Sequence, residues 1–100
     1  MNQVEHLLAC LSEECAEVQH AVGKALRFGL HDMWPEKGVT NSQQITIELL
    51  DVQAISILLY EHEALKRMGP QAEGTHVLKK RSRVLQLIDY ARVRGIVSGD

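Results

Sequence analysis

From Val4 to Phe28 the apolar residues Val4, Leu7, Leu8, Leu11, Cys15, Val18, Val22, Ala25 and Leu26 recur at three- and four-residue steps with no interior proline. That period predicts an amphipathic helix. Gly29 is its expected stop, and Gly29 to Val39, with Trp34-Pro35 and Gly38 inside, reads as a connection. A loop of that length in a small domain is often functional. Thr40 and Gln43 then form a capping-box pair, in which hydroxyl and amide satisfy exposed backbone N–H groups, and start a second helix. Its expected end is near Met68, before the Gly69-Pro70 stop, a length of about 40 Å at ~1.5 Å per residue.

The apolar residues of this second helix do not keep to one stripe. Ile45, Leu49, Val52, Ile55 and Leu59 occupy one side, while Ile47, Leu50, Ala54, Ile57, Leu58 and Leu65 cover much of the rest. A small monomer would leave such a surface in water, so the pattern predicts that a second subunit covers it. After a turn over residues 69–74, Thr75 is the expected cap of a third helix with Leu78, Leu85, Ile88 and Ala91 on one face, ending near Gly95. The tail, Ile96 to Asp100, is expected to fray or pack locally. No repeat, low-complexity segment or strand-length alternation interrupts this order. The expected fold is therefore all-α: residues 1–100 form one domain, a helical bundle of two long antiparallel helices and a C-terminal helix, completed by a homodimer or homotetramer.

Composition narrows the class without naming a function. With 45% hydrophobic and 24% charged residues the chain is an ordinary globular sequence rather than a disordered one. Its 11 basic and 13 acidic residues leave a formal charge of -2, so the molecule as a whole has no strong attraction to nucleic acid or an anionic membrane. The charges are unevenly spread, however, with Lys79, Lys80, Arg81, Arg83, Arg92 and Arg94 crowding the last quarter. Cys10 and Cys15 point in different directions on a helix and fit neither a disulfide nor a zinc framework. With no visible targeting signal and no membrane-length apolar run, the expected location is the cytoplasm.

The acids of the first two helices carry the chemistry. Glu13, Glu14 and Glu17 form Glu-Glu-x-x-Glu, and Glu48 and Asp51 form Glu-x-x-Asp; positions three apart share a helix face, so each pair can aim two carboxylates at one place. At about 100° per residue, Glu14 falls within the apolar sector, between Leu7, Ala21 and Ala25, and Glu17 at its edge. Glu48 lies in the sector of Val52, Ile55 and Leu59, with Asp51 beside it. A single Glu-x-x-Glu usually marks a solvated face, but two such pairs in apolar sectors of consecutive helices are different. Buried together, these acids cannot all stay ionised unless a cation neutralises them. Hard oxygen ligands without a well-placed cysteine suit Mg²⁺ or Mn²⁺ better than zinc.

The run Glu13-Glu14-Cys15-Ala16-Glu17 with Glu48-Leu49-Leu50-Asp51 resembles the double signature of the MazG-type all-α nucleoside triphosphate pyrophosphohydrolases, over about residues 5 to 65. Residues 18 to 47 make the gap between the pairs slightly longer than is usual there. The resemblance implies hydrolysis of a nucleoside or deoxynucleoside triphosphate to monophosphate and pyrophosphate. It also implies that Glu14, Glu17, Glu48 and Asp51 hold magnesium, with Glu13 an outer helper that orients water.

Other residues are secondary candidates. Lys24 follows Glu17 by about two turns, on nearly the same side, and is a candidate phosphate ligand; Arg27 lies further along the same helix. On the third helix Lys79, Lys80 and Arg83 could close over a triphosphate tail, although solvated helix charges look the same in sequence. Trp34 either stacks on a nucleobase or anchors its loop. His20 makes a Glu-x-x-His step with Glu17, the ligand motif of carboxylate-bridged di-iron bundles, but Glu48 is followed by Asp51 and the second such step is missing. A non-enzymatic nucleic-acid or protein-binding module using the basic third helix is the remaining alternative, without a recognised binding motif to accompany it.

Overall fold

The computed structural model describes residues 1–98, which contain three helices and no strand: α1 (Gln3–Phe28), α2 (Asn41–Glu61) and α3 (Pro70–Val93). They fall into two compact units, Met1–Lys66 with α1 and α2, and a second that begins at Arg67 and holds α3. None of these helices is long and apolar enough to cross a membrane.

In the first unit α1 packs along α2. Asn2 caps α1 by accepting the Glu5 N–H at 2.8 Å, and Gly29 closes it with a positive φ of 99° and an N–H donated to the Ala25 carbonyl. The buried positions of α1 are Leu7, Ala21 and Ala25. Two of these, Ala21 and Ala25, are small side chains on the stretch of α1 that also carries Glu17 and Lys24. The capping box of α2 forms as expected: Gln43 N–H donates to the Thr40 hydroxyl at 3.1 Å, and Thr40 N–H donates to Gln43 Oε1 at 2.8 Å.

The connection is tightly tied. Asn41, 4% exposed, donates its side-chain amide to the Gly29 carbonyl at 2.9 Å. Backbone bonds from Asn41 to Asp32 and from Ser42 to Leu30, each 2.9 Å, join the same strands of chain. Met33 and Thr40 form an isolated antiparallel bridge. The end of α1 is thereby held beside the start of α2.

Two helix boundaries differ from expectation. α2 stops at Glu61 rather than near Met68, although neither glycine nor proline is present there. Glu63 adopts the left-handed conformation, φ 58°, so that its N–H reaches the Tyr60 carbonyl and the Ala64 N–H reaches the Leu59 carbonyl, both at 3.0 Å. These paired bonds are a Schellman motif, and the Leu59 side chain at its base is fully buried. α3 begins at Pro70 rather than after Thr75, because proline's fixed φ and missing N–H suit the first helical turn. Glu73 completes that start by accepting the Met68 N–H at 2.9 Å, and it pairs with Arg67 at 3.2 Å. The Met68 bond is the largest of the influences that hold the Glu73 carboxyl below its usual range. The far end of α3 follows expectation, with Gly95 at φ 76° and the Ile96 N–H returning to the Ala91 carbonyl at 2.8 Å. The last two residues of the expected tail lie outside the described residues.

The apolar patterns are also redrawn. On α2, Leu59 is buried and Ile45, Val52 and Ile55 are half-buried, but Leu49, assigned to the same stripe, is exposed together with Ile47, Leu50, Ile57 and Leu58. On α3, Ile88 and Ala91 are half-buried whereas Leu78 and Leu85 are exposed, and no α3 residue is buried.

Candidate metal and anion site

Glu14 on α1 and Glu48 and Asp51 on α2 each offer a carboxylate oxygen to one cluster, in which these atoms all lie within 4.8 Å of one another. Glu14 and Glu48 are half-buried and Asp51 is exposed. The i, i+3 spacing of Glu48 and Asp51 puts both on the side of α2 that meets Glu14. Desolvation raises the Glu14 carboxyl above the usual carboxylate range, and the negative charges of Asp51, Glu48, Glu17 and Glu13 raise it further, in that order. A cation beside Glu14 would offset this crowding of negative charge. Three carboxylate oxygens with no nitrogen or sulfur among them are the donor chemistry that a hard divalent ion takes.

Glu17 is exposed and is not one of the three residues whose oxygens meet. Instead it lines an adjoining cleft of about 70 Å³ with His20, Ala21, Lys24, Lys37, Gln44 and Glu48. Glu13 is exposed on α1 beside Glu14 and acts on it through its charge. Glu48 is fixed by Gln44, one helical turn earlier, which donates from Nε2 to Glu48 Oε1 at 2.7 Å.

Beyond Lys24 the surface becomes aromatic. A second cavity of about 420 Å³ is lined by His20, Gly23, Lys24, Arg27, Phe28 and Trp34, within the size range of small-molecule sites. Trp34 meets the ring of Phe28 edge to face at 6.0 Å, and the Lys24 ammonium stands over the Trp34 ring, 5.3 Å from its centre. The Trp34 Nε1–H is buried without a hydrogen-bond partner. The two substrate-binding candidates of this unit, Lys24 and Trp34, are therefore brought into contact. His20 and Lys24 line both cavities.

The other two candidates, Lys80 and Arg83, are exposed on α3 in the second unit. Arg83 lines an open cavity there with Thr75, Leu78, Lys79, Ser82 and Gln86. Gln44, Lys37 and Asn41 escaped the sequence reading. The Gln44–Glu48 spacing of four was a usable signal, but nothing local marks a loop lysine or a tie to Gly29. Cys10 and Cys15 are free thiols, and Cys10 Sγ lies 3.6 Å from His6 Nε2.

Comparison with protein-family models, with curated proteins and with solved structures found no match.

Proposed function

We propose that this chain hydrolyses nucleoside or deoxynucleoside triphosphates to monophosphate and pyrophosphate in the cytoplasm, using Mg²⁺, or Mn²⁺, held by Glu14, Glu48 and Asp51 with Glu17 beside them. The observation that carries the proposal is the meeting of the Glu14, Glu48 and Asp51 carboxylates from two helices within 4.8 Å. When bound, such an ion neutralises phosphate charge, orients the phosphates and makes a water more acidic. The chain's own residues supply the rest. Gln44 donates to one oxygen of Glu48 at 2.7 Å and so fixes the orientation of that carboxylate. Glu17, outside the three-oxygen cluster, accepts a proton from the attacking water, with Glu13 as the outer helper. Lys24 is the cation between the acids and the aromatic cavity, and the cavity around Trp34 takes the nucleoside end. A base approaching the face of Trp34 that Lys24 covers must displace the ammonium first.

Exposed Ile47, Leu49, Leu50, Ile57 and Leu58 on α2 support a homodimer or homotetramer. Sedimentation that finds only monomer at micromolar concentration removes that part of the reading. The ligand cluster contains no histidine, which counts against the di-iron alternative.

The deciding experiment incubates the protein with a panel of nucleotides and Mg²⁺ and separates the products. Monophosphate plus pyrophosphate is expected. Diphosphate plus orthophosphate, or no turnover together with iron-dependent absorbance, overturns the proposal. Salt-sensitive DNA or RNA binding that survives both Glu14→Gln and Glu48→Gln, without nucleotide turnover, would favour a binding module instead.

A further inference from the structure

The cleft beside the carboxylate cluster is an unusual mixture of charges. Lys24 and Lys37 line it from one element and one loop, and Glu17 and Glu48 line it from the two helices. Simple mutual neutralisation would place the ammonium groups against the carboxylates. They are not so placed: the ion pairs among the described residues are Arg67–Glu73 and Arg92–Asp89, and Lys24 instead stands over Trp34.

Lys37 reaches this cleft through the build of its loop. Its N–H donates to the Trp34 carbonyl at 3.0 Å, Gly38 turns the chain at φ 69°, and the Asn41 tie holds the loop to the end of α1. One short turn thus brings Trp34 to the aromatic cavity and Lys37 to the polar one. With a volume of about 70 Å³ the polar cleft has room for a small tetrahedral group and none for a nucleobase.

We infer that Lys37, together with Lys24 and His20, forms an oxyanion pocket for one phosphoryl group of a di- or triphosphate chain, and that this pocket works only when a divalent ion occupies the neighbouring carboxylates. The inference rests on the metal reading above. Charge balance explains the coupling. Two lysines against Glu17 and Glu48 leave the empty cleft with no net attraction for an anion. Glu14 and Asp51 beside it add two negative charges that repel an anion; a divalent ion on Glu14, Glu48 and Asp51 cancels them, and the two ammonium groups can then converge on phosphate oxygens. Binding of the anion and of the ion must therefore strengthen each other by the same factor.

The test is calorimetric titration of the full chain with inorganic pyrophosphate, at fixed free Mg²⁺ and again with a chelator. The emission of Trp34, the single tryptophan, is followed in parallel because Lys24 leaves its ring when it turns to an anion. Pyrophosphate is expected to bind with Mg²⁺ and not with the chelator, and Trp34 emission is expected to change with the same midpoint. Lys37→Ala should weaken pyrophosphate by about tenfold or more, Lys37→Arg should restore most of the loss, and neither should weaken Mn²⁺ binding measured by electron paramagnetic resonance without pyrophosphate. Equal affinity of wild type and Lys37→Ala, or equal affinity with and without the divalent ion, overturns the inference. If nucleotide turnover proceeds while pyrophosphate ignores Lys37, this inference alone fails. If wild type binds no Mn²⁺ at all, the metal reading fails with it.

Discussion

Asn41→Ala tests whether the tie between α1 and α2 holds the loop that serves both cavities. The Asn41 side chain is 4% exposed and donates to Gly29 at 2.9 Å. Deleting it removes one hydrogen bond, worth about 1 kcal/mol net because water can reach the exposed Gly29 carbonyl. The lost packing of a buried carboxamide adds about 1 kcal/mol more, in the lower range for a small core truncation. Alanine's better helix propensity offsets about 0.5 kcal/mol of this. The expected loss is about 1.5 kcal/mol, a melting point lower by about 6–12 °C for a unit of this size. Trp34 fluorescence is the appropriate signal, since that residue lies in the unit with α1 and α2. The native emission of the variant should also shift to the red as the loop loosens. A melting point within about 2 °C of wild type, or a higher one, would show that the bond does not hold the loop.

Further outcomes follow from the same geometry. The folded Glu14 carboxyl titrates above its ordinary 4.5, so its contribution to the metal-free protein is fully present below that ordinary value and is lost as pH rises through the raised one. Glu14→Gln should therefore melt higher than wild type at neutral pH without metal, converge with it in acid, and lose the Mg²⁺-dependent stabilisation; a variant that melts lower at neutral pH contradicts this. Glu48→Gln should reduce nucleotide turnover by more than about 100-fold, and Gln44→Ala, acting through Glu48, should cost about 10–100-fold in metal affinity. If Gln44→Ala binds Mn²⁺ as wild type does, Gln44 is not a positioning residue. Glu63→Gly should raise stability by about 1 kcal/mol by relieving the left-handed conformation at the end of α2, as read from chemical denaturation; destabilisation would mean that the Glu63 side chain contributes more than its backbone strain.

The helical class, the start of α2 at its capping box, Gly29 and Gly95 as helix ends, and the facing of Glu14 toward Glu48 and Asp51 were all legible along the chain. Each is a local matter: side-chain spacing of three or four residues, a hydroxyl and an amide at the right separation, a glycine able to take positive φ. The early end of α2 was not, because Glu63 in a left-handed conformation has no sequence signal of its own. Burial of Leu59 and the bonds to its carbonyl stabilise that end. Leu49 shows the same limit, since an apolar residue on the expected face remains exposed.

The amino-acid order alone determined which acids can share a helix face, and so identified the carboxylates of the candidate site. Only the tertiary structure decided that Glu17 stands beside the cluster rather than in it, that Gln44 fixes Glu48, and that the loop carries Lys37 to the polar cleft while Lys24 covers Trp34. The physical reason is one of range: helical periodicity fixes the direction of a side chain within a turn or two, whereas the separation of groups on different elements depends on how α1 packs along α2 and on where the Asn41 bond pins the loop.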